Sequence, residues 1–555
     1  MKRILTETIR AAVAQARASG ELSSQEELVG LTIEVPRLAS HGDWATNAAM
    51  IMADMEKRPP RELAETIIKY IEDEHGYLNR IEIAGPGFIN FALSEKWWRH
   101  VLREIHRLGA DYGRLDMGRG QRVLIEFVST NPTGPLHVGH GRGAAVGDAL
   151  ARVLSMAGYE VSREYYVNDT GNQARTLGRS VLYRYLELFG REVNFTDDLY
   201  QGGYIRGLAA EMKHRHQDRF LDLPEEEAVE AIYSWAVERI LEGIKQDLAS
   251  FNVFFDHYFS EKSLVEQGKV DQTLEELKAR GHIYEKDGAI WFRSTSFGDD
   301  KDRPVIKSNG ETTYITPDLV YHRDKYLRGY DRMIDVLGAD HHGYVPRLMA
   351  GVEAMGFDRS RLNVLLVQMV NWLRGGTPVS MSTRAGEYVT VREVLDEIGS
   401  DAARFIFLTR RPESRLDFDL EVAKNQSNEN PVYYVQYAHA RIASVFRTAL
   451  KEGLELPGPE EADLSLLTQE EELTLTKHLA AFPDLIEGAV VNLEPHRLTH
   501  YLTDLAGLFH PYYNRHRFIS HDLELSRARL LLAKCTQQVV ASGLELLGVN
   551  APESM

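Results

Sequence analysis

Two histidines separated by a Val-Gly pair, His137 and His140, stand at the start of a predicted helix that follows an apolar strand. A loop of small and polar residues, Ser-Thr-Asn-Pro-Thr-Gly-Pro, joins the strand to the helix. Backbone N–H groups at such a junction can face a phosphate, because the helix dipole favours an anion there. The imidazoles can donate hydrogen bonds to phosphate oxygens, and Gly139 leaves room for a ligand ring. The pattern indicates a nucleotide site, or else a helix N-terminus with two surface histidines.

A second candidate for phosphate binding lies far downstream, in residues 375–386, which read Gly-Gly-Thr-Pro-Val-Ser-Met-Ser-Thr-Arg-Ala-Gly. The glycines and serines predict a mobile loop. Its hydroxyls, its N–H groups and the guanidinium of Arg384 could close over a polyphosphate during transfer. By itself such a segment is more typical of a flexible surface loop. The loop before His137 has neither the G-x-G-x-x-G nor the G-x-x-x-x-G-K-[ST] spacing, which excludes a dinucleotide fingerprint and a P-loop there.

The elements around the two histidines predict an α/β domain. From Arg122 onward strands alternate with helices, a pattern that yields a parallel sheet covered on both faces, here of about five strands. The strand-like segments after the first are 160–167, 289–292, 304–306, 312–315, 332–337 and 363–369, and an acidic helical insertion near 195–265 separates them. Asp169 or Thr170 could cap the helix after the second strand. Because ligands bind outside the carboxyl ends of such strands, the polar strand ends are the candidate site.

The two ends of the chain have different patterns from the middle. Residues 1–112 predict an α+β module with a hairpin-like pair of strands at 80–84 and 88–93. After Asn430 long helical periods replace the strands, which predicts a helical bundle. We therefore predict an α/β protein with three domains: an N-terminal α+β module (1–112), a Rossmann-like catalytic domain (113–429) and an all-helical domain (430–555).

Composition narrows the class of protein. A chain of 555 residues holds roughly two to four domains. Its single cysteine, Cys535, excludes a disulfide framework and a Cys-based zinc site, and the net charge of -18 argues against indiscriminate nucleic-acid binding. No apolar run has the length of a signal or membrane segment. We expect a cytoplasmic monomer with no membrane partner and no protein-bound metal.

The chain resembles the arginyl-tRNA synthetases of class I over nearly its full length. The stretch from His137 to His140 is similar to the His-Ile-Gly-His motif of the class, and 380–384 looks like its Lys-Met-Ser-Lys-Ser loop. The two lie in the expected order at the two ends of one α/β domain, so together they are far more specific than either alone. Further matching stretches are 41–47, 87–91, 129–140, 164–173, 313–318, 338–343, 430–441 and 551–555.

The resemblance implies an arginine–tRNA ligase. Arginine's carboxylate attacks the α-phosphate of ATP, pyrophosphate leaves, and the adenylate esterifies the 2′-hydroxyl of the terminal adenosine of tRNA(Arg). Such displacement needs positioning and charge stabilisation, with Mg²⁺ on the phosphates, more than a protein nucleophile. The residues implied for each ligand are His137, Gly139, His140, Met381, Ser382 and Arg384 for ATP; Ser129, Asn131, Tyr314 and Asp318 for arginine; and Phe88, Asn90, Tyr437 and Arg441 for tRNA.

Several positions depart from the family pattern. Thr383 stands where the loop often has a second lysine, and Gly134 stands where some members have a lysine before the histidines. We expect Arg384 to supply the missing charge, with Arg142 or Lys307 as alternatives. The rival interpretations are another H-x-G-H nucleotidyl transferase, which leaves both terminal domains unexplained, and a catalytically silent tRNA-binding paralogue. The family also implies that tRNA must bind before arginine is activated.

Overall fold

The computed structural model describes residues 1–378, 389–425, 427 and 429–555. Over these residues the chain forms two compact units. The first comprises Met1–Gly109, Phe446–Ala480 and Tyr512–Gln538, and the second comprises Ala110–Val445, Ala481–Pro511 and Val539–Met555. Of the predicted phosphate loop at 375–386, residues 379–386 lie outside the described residues.

The N-terminal region has four helices, of which the first three pack against a small antiparallel sheet. Its elements are α1 (Lys2–Ala18), β1 (Ile33–Glu34), β2 (Trp44–Thr46), α2 (Ala48–Glu56), α3 (Pro60–Lys69), β3 (Leu78–Ala84), β4 (Phe88–Leu93) and α4 (Glu95–Leu108). The sheet order is β1-β2-β4-β3, so the predicted hairpin is confirmed. Leu5 and Ile9 recur on one face of α1 and pack with Ile67 and Phe91, because apolar side chains at helical spacing need a core to cover them.

The middle of the chain builds a parallel sheet. Its elements are β5 (Arg122–Phe127), α5 (Val138–Met156), β6 (Glu160–Val167), α6 (Gly171–Glu187), α7 (Gly203–His216), α8 (Glu225–Ser250), β7 (His257–Ser260), α9 (Glu261–Glu266), α10 (Lys269–Ala279), β8 (Ile283–Lys286), β9 (Ala289–Phe292), β10 (Arg303–Ile306), α11 (Ile315–Leu327), β11 (Arg332–Gly338), α12 (Val345–Ala354), β12 (Leu362–Val367), β13 (Val370–Arg374), β14 (Thr377–Pro378), α13 (Val391–Phe407), β15 (Leu416–Asp419) and α14 (Leu420–Lys424). The five-stranded sheet has the order β12-β11-β5-β6-β7. Strand β5 is thus central, and Leu124 pairs with Met333 on one side and Ser162 on the other.

Both faces of strand β5 are covered by helices. Leu124 packs with Tyr326 of α11 and Leu348 of α12. Phe127 faces helix α5, where a Cβ atom on Gly147 would lie only 2.2 Å from its ring. Glycine at position 147 therefore lets α5 approach the sheet closely, which brings the start of α5 to the carboxyl edge of β5.

One strand prediction was wrong, and two confirmed strands lie outside the parallel sheet. Segments 289–292 and 304–306 do form strands, but they pair with β8 in a separate antiparallel sheet of order β10-β9-β8. Segment 312–315 is no strand, because Thr312 forms only an isolated bridge with Ile306 and helix α11 begins at Ile315. The fifth strand of the parallel sheet, β7, lies instead inside the predicted helical insertion. It is a four-residue edge strand, too short for its alternation to stand out.

The last region is helical, as predicted. It contains α15 (Pro431–Lys451), α16 (Glu470–Ala480), α17 (Phe482–Asn492), α18 (His496–Arg515) and α19 (Leu523–Leu546). Helices α16 and α17 are separate, because Pro483 sits in the first turn of α17 and lacks the N–H that a continuous helix would need. The predicted class is confirmed: a Rossmann-like parallel sheet with an α+β N-terminal region and helices at the C-terminal end. Within the described ranges no helix is long and apolar enough to cross a membrane.

Candidate active site

The loop between β5 and α5 is held by the neighbouring strand and helix. Val128 and Ser129 both have left-handed backbone angles, with φ of 69° and 43°, which non-glycine residues adopt only under strong constraint. The Ser129 hydroxyl accepts from the Tyr166 backbone N–H at 3.1 Å. Asn131 Nδ2 donates to Gln173 Oε1 at 2.6 Å. Side chains and backbone of β6 and α6 therefore fix the two loop residues that were predicted to bind arginine.

The predicted ATP-binding turn follows this loop. His137 is the N-cap residue of α5, and its ring stacks on that of His140 with 3.5 Å between centroids. Burial lowers the pKa of both histidines, that of His140 to about 3, so both rings are neutral at pH 7. Neutral rings can still donate N–H hydrogen bonds to phosphate, and the buried Nδ1 of His140 has no hydrogen-bond partner among the described residues.

Glycine is required between the two histidines. A Cβ atom on residue 139 would lie 2.8 Å from Cε1 and 3.0 Å from Nδ1 of His137. Such contacts would push the His137 ring away from its position over the helix N-terminus. The exposed backbone at Gly139 thus leaves a clear surface beside both rings.

The segment that follows the predicted phosphate loop pairs with the same turn. The N–H of Val138 donates to the carbonyl of Val389 at 2.9 Å, and the N–H of Val391 donates to the carbonyl of Leu136 at 2.8 Å. Thr390 then starts helix α13 with a capping box. The segment that begins at Val389 is therefore tied to the histidine turn. Met381, Ser382, Thr383 and Arg384 lie outside the described residues.

The two alternatives for the missing charge have other partners. Arg142 is fully buried, and its guanidinium donates to the carbonyls of Gln368, Ser414 and Arg411 at 2.7 to 2.9 Å. It is therefore a structural tie between α5 and the segments around β13 and β15, and the idea that it contacts phosphate is wrong. Lys307 pairs with Glu311 at 3.0 Å on an exposed turn.

The arginine pocket predicted around Asp318 lies at the start of α11. Asp318 is half-buried in the first turn of that helix and accepts a hydrogen bond on Oδ2 from the Tyr344 hydroxyl. Burial raises the pKa of Asp318 to about 6, and the neighbouring carboxylates Glu126 and Glu261 act in the same direction. Tyr314 stands at the N-cap of α11, and its ring is 86% exposed.

Glu261 is a candidate that the sequence reasoning missed. It is buried at the first position of α9, directly after strand β7, and accepts from Tyr166 Oη at 2.8 Å and Thr170 Oγ1 at 2.6 Å. The sequence did contain a signal, a carboxylate immediately after the strand-like run Tyr-Phe-Ser. That run was assigned to the predicted helical insertion, so the carboxylate was not recognised as following a strand. The capping prediction is confirmed in position only: Thr170 is the N-cap residue of α6 but makes no side-chain cap hydrogen bond there. Asp169 instead accepts from the Lys262 backbone N–H at the start of α9.

A charged cluster lies beneath the pocket. The ammonium of Lys325, fully buried, donates to Glu126 and, at 2.7 Å, to Asp335. His322 contacts Asp335 at 2.7 Å through Nε2 and the backbone carbonyl of Asp318 at 2.8 Å through Nδ1. Burial alone would raise the pKa of Asp335, but Lys325 and His322 outweigh it and hold that pKa well below its usual range.

The predicted tRNA contacts fall on two separate regions. On β4 Phe88 is half-buried, whereas Asn90 is only 5% exposed, so its side chain offers tRNA almost no surface. On α15 the guanidinium of Arg441 lies 4.5 Å from the Tyr437 ring centroid, and Tyr437 stacks on Tyr433 at 5.9 Å. Among the described residues no three His, Cys, Asp or Glu side chains form a group that could hold a metal ion.

Family models cover almost the whole chain. "Arginyl tRNA synthetase N terminal domain" matches residues 3–93, "tRNA synthetases class I (R), catalytic domain" matches 107–442, and "DALR anticodon binding domain" matches 435–555. Together with the histidine turn at the edge of a parallel sheet, these matches define a class I aminoacyl-tRNA synthetase.

Full-length relatives indicate which amino acid the enzyme attaches to tRNA. The chain is 51% identical to the arginine–tRNA ligase of Citrifermentans bemidjiense, with 100% of both chains covered, and 54% identical to that of Syntrophotalea carbinolica, with 95% of both covered. The chain belongs to the arginyl-tRNA synthetase family and is an ATP-dependent arginine–tRNA ligase.

Solved structures agree with this assignment. A Campylobacter jejuni protein described as an arginyl tRNA synthetase superposes with a TM-score of 0.78 at 36% identity, over 83% of this chain and 100% of that one. The arginyl-tRNA synthetase of Thermus thermophilus has a TM-score of 0.76 at 24% identity over 100% of both chains, which supports the fold alone. The family resemblance is thus confirmed. The rival interpretation, another H-x-G-H nucleotidyl transferase, is wrong.

Proposed function

We propose that arginine and ATP meet at the carboxyl edge of the parallel sheet, with the histidine turn on the ATP side and Asp318 on the guanidinium side. The observation that carries this proposal is the Asp318 carboxylate, whose pKa is raised because burial and two nearby carboxylates oppose its charge. A cation that enters the pocket relieves that cost. A guanidinium fits best, because its fork of N–H donors matches the two oxygens of a carboxylate.

On the ATP side, His137 and His140 donate N–H hydrogen bonds to phosphate oxygens, and Gly139 lets the nucleotide lie against the backbone. Arginine's carboxylate oxygen forms a bond to the α-phosphorus while the bond to pyrophosphate breaks. Negative charge builds on the phosphate oxygens in this step, and prearranged donors stabilise it. Mg²⁺ enters with ATP as part of the substrate, and Arg384, with Met381 and Ser382, closes over the phosphates.

On the arginine side, Asp318 and Glu261 receive the guanidinium, and Tyr314 covers the side chain. The amide of Asn131 donates to Gln173, which leaves its carbonyl oxygen to accept from the α-ammonium group. Ser129 holds the loop against the backbone of β6 and shapes the same end of the pocket.

Transfer to tRNA uses the outer regions. We divide the chain into an N-terminal module (1–112), a catalytic domain (113–429) and an anticodon-binding domain (430–555). The whole chain acts in the cytoplasm as a monomer. Tyr437 and Arg441 offer a stacked ring and a guanidinium, groups on which unpaired bases stack and bond. Phe88 is the corresponding tRNA contact of the N-terminal module. We also expect that tRNA(Arg) must bind before the enzyme activates arginine.

Two assays test the proposal. In charging of total tRNA with each labelled amino acid, only arginine should be attached, and citrulline should compete at least about 100-fold more weakly than arginine, because it keeps the shape but lacks the charge that Asp318 needs. Competition by citrulline at the strength of arginine would contradict the role of Asp318.

The ATP side is tested by two glycines one turn apart at the start of α5. In the presence of tRNA(Arg), Gly139→Ala should slow arginine-dependent ATP–pyrophosphate exchange by about 10- to 100-fold, since it displaces His137. Gly143→Ala is the matched control: no atom outside its own helix backbone and its neighbours lies within 4 Å of the added methyl, so exchange should stay within about twofold. Equal exchange rates for the two variants would contradict the proposed role of His137 in ATP binding.

A further inference from the structure

Tyr344 is placed to control the carboxylate that selects arginine. It ends the short 3-10 turn Ala339–Tyr344, which directly follows strand β11 at the carboxyl edge of the sheet. Its hydroxyl donates to Oδ2 of Asp318. Burial and the adjacent Asp318 raise the pKa of Tyr344, so its hydroxyl keeps its proton and remains a donor at any working pH.

The ring of Tyr344 is held from two sides. The guanidinium of Arg347 lies 5.7 Å from the ring centroid, and the ring of His341 meets it edge-on at 6.4 Å. Helix α12 starts at the next residue, Val345, so the backbone at Tyr344 is fixed as well. The donor therefore has a defined position relative to Asp318 before any substrate arrives.

We propose that Tyr344 is a positioning residue for arginine recognition: its hydroxyl fixes the rotation of the Asp318 carboxylate and stabilises the anionic form of that group in the substrate-free enzyme. This inference rests on the proposed role of Asp318 as the guanidinium acceptor. A carboxylate has about four lone-pair sites, of which Tyr344 uses one. The guanidinium fork can therefore bind while the tyrosine contact persists.

The groups around Asp318 explain why this one donor matters. Glu126 on β5 and Glu261 on α9 oppose its negative charge, whereas Tyr344 and His322 support it. His322 is engaged by Asp335 and by the backbone carbonyl of Asp318. The Tyr344 hydroxyl is the supporting group that bonds the carboxylate oxygen itself.

The test is Tyr344→Phe, which keeps the ring and removes only the hydroxyl. Loss of a hydrogen bond to a charged group should lower kcat/KM for arginine about 10- to 100-fold at pH 7 through a higher KM, with kcat at saturating arginine and KM for ATP within about twofold. The pH midpoint of kcat/KM for arginine should move to higher pH than in the unsubstituted enzyme, because the anion of Asp318 has lost a donor. A purely structural defect would not move this midpoint.

Tyr326→Phe is the matched control. Tyr326 is a buried tyrosine of the same helix α11 as Asp318, and its hydroxyl donates to the carbonyl of Asp358 at 2.8 Å. This variant should leave the pH midpoint and KM for arginine unchanged. An unchanged midpoint and KM in Tyr344→Phe, with Asp318→Asn severely impaired, would overturn the inference about Tyr344 alone. If Asp318→Asn also kept a normal KM for arginine, the proposed arginine site itself would be wrong.

Discussion

Asp318 and Asp335 are two acidic residues joined through one histidine, yet their surroundings are opposite. His322 contacts the backbone carbonyl of Asp318 with one ring nitrogen and the carboxylate of Asp335 with the other. Asp335 also has the ammonium of Lys325 at 2.7 Å, which holds its pKa well below the usual range. Asp318 has a neutral tyrosine hydroxyl instead, and burial raises its pKa to about 6.

We infer that the difference separates a structural charge from a functional one. The charge of Asp335 is balanced inside the folded chain, where it ties α11 to β11. The charge of Asp318 is not balanced by a neighbouring lysine or arginine among the described residues, so a cation from outside is stabilised there. Perturbed carboxylates of this kind are found at functional sites because the strain is relieved by the ligand.

The largest expected effect is on the structural side of the comparison. Lys325→Met should destabilise the fold by about 3–5 kcal/mol, because Glu126 and Asp335 would stay buried without their cation. Thermal unfolding followed by circular dichroism measures this as a clearly lower midpoint. Lys262→Met, which removes an exposed pair with Glu266 at 3.8 Å, should shift the midpoint little and serves as the control. Equal shifts in the two variants would show that the buried cluster has no special role.

Asp318→Asn should have the opposite effect to Lys325→Met: it should lower activity and leave stability intact. We expect kcat/KM for arginine to fall about 100- to 1,000-fold, since a charged, forked contact is lost, while KM for ATP changes by less than about threefold. The thermal midpoint should stay the same or rise, because a costly buried charge has been removed. Steady-state charging of tRNA at varied arginine and ATP separates the two constants. A large loss of stability would place Asp318 with Asp335 as a structural group.

The smallest effect in this series is on pH dependence. Arginine binds the ionised form of Asp318, and that form is lost as pH falls through its raised pKa of about 6. The rate constant kcat/KM for arginine should therefore be flat above pH 7 and fall about tenfold per pH unit well below 6. No matching step is expected from Asp335, whose pKa lies far lower. A profile that stays flat to pH 5 would contradict the raised pKa.

Much of this site could be predicted from the sequence. The central strand and the His137 to His140 turn are local patterns, since hydrophobic periodicity and short motifs are written in neighbouring residues. The role of Asp318 is instead implied by the resemblance to the family. Alternating strands and helices also predict a parallel sheet, but neither its strand order nor its edge strand β7 follows from that pattern. Asn90 shows the limit of this approach, because burial depends on strands that pair with it from elsewhere in the chain.

The pairing of charges could not be predicted. Lys325 reaches Glu126 across 199 positions, and Tyr344 reaches Asp318 across 26, so only the folded chain brings them together. Arg142 lies beside the histidine turn in sequence, which suggested phosphate, yet packing turns it towards backbone carbonyls. Glu261 was hidden because a short edge strand precedes it.

Proton release on arginine binding tests the central claim most directly. At pH 6 a carboxyl group with a pKa of about 6 is half protonated, and a bound guanidinium should drive it to the ionised form. Calorimetry in two buffers of different ionisation enthalpy should therefore detect release of about half a proton per arginine at pH 6, close to none at pH 8, and none from Asp318→Asn at either pH. Arginine binding without proton release at pH 6 in the unsubstituted enzyme would contradict the central claim. That claim is that the guanidinium of arginine balances the otherwise unbalanced charge of Asp318.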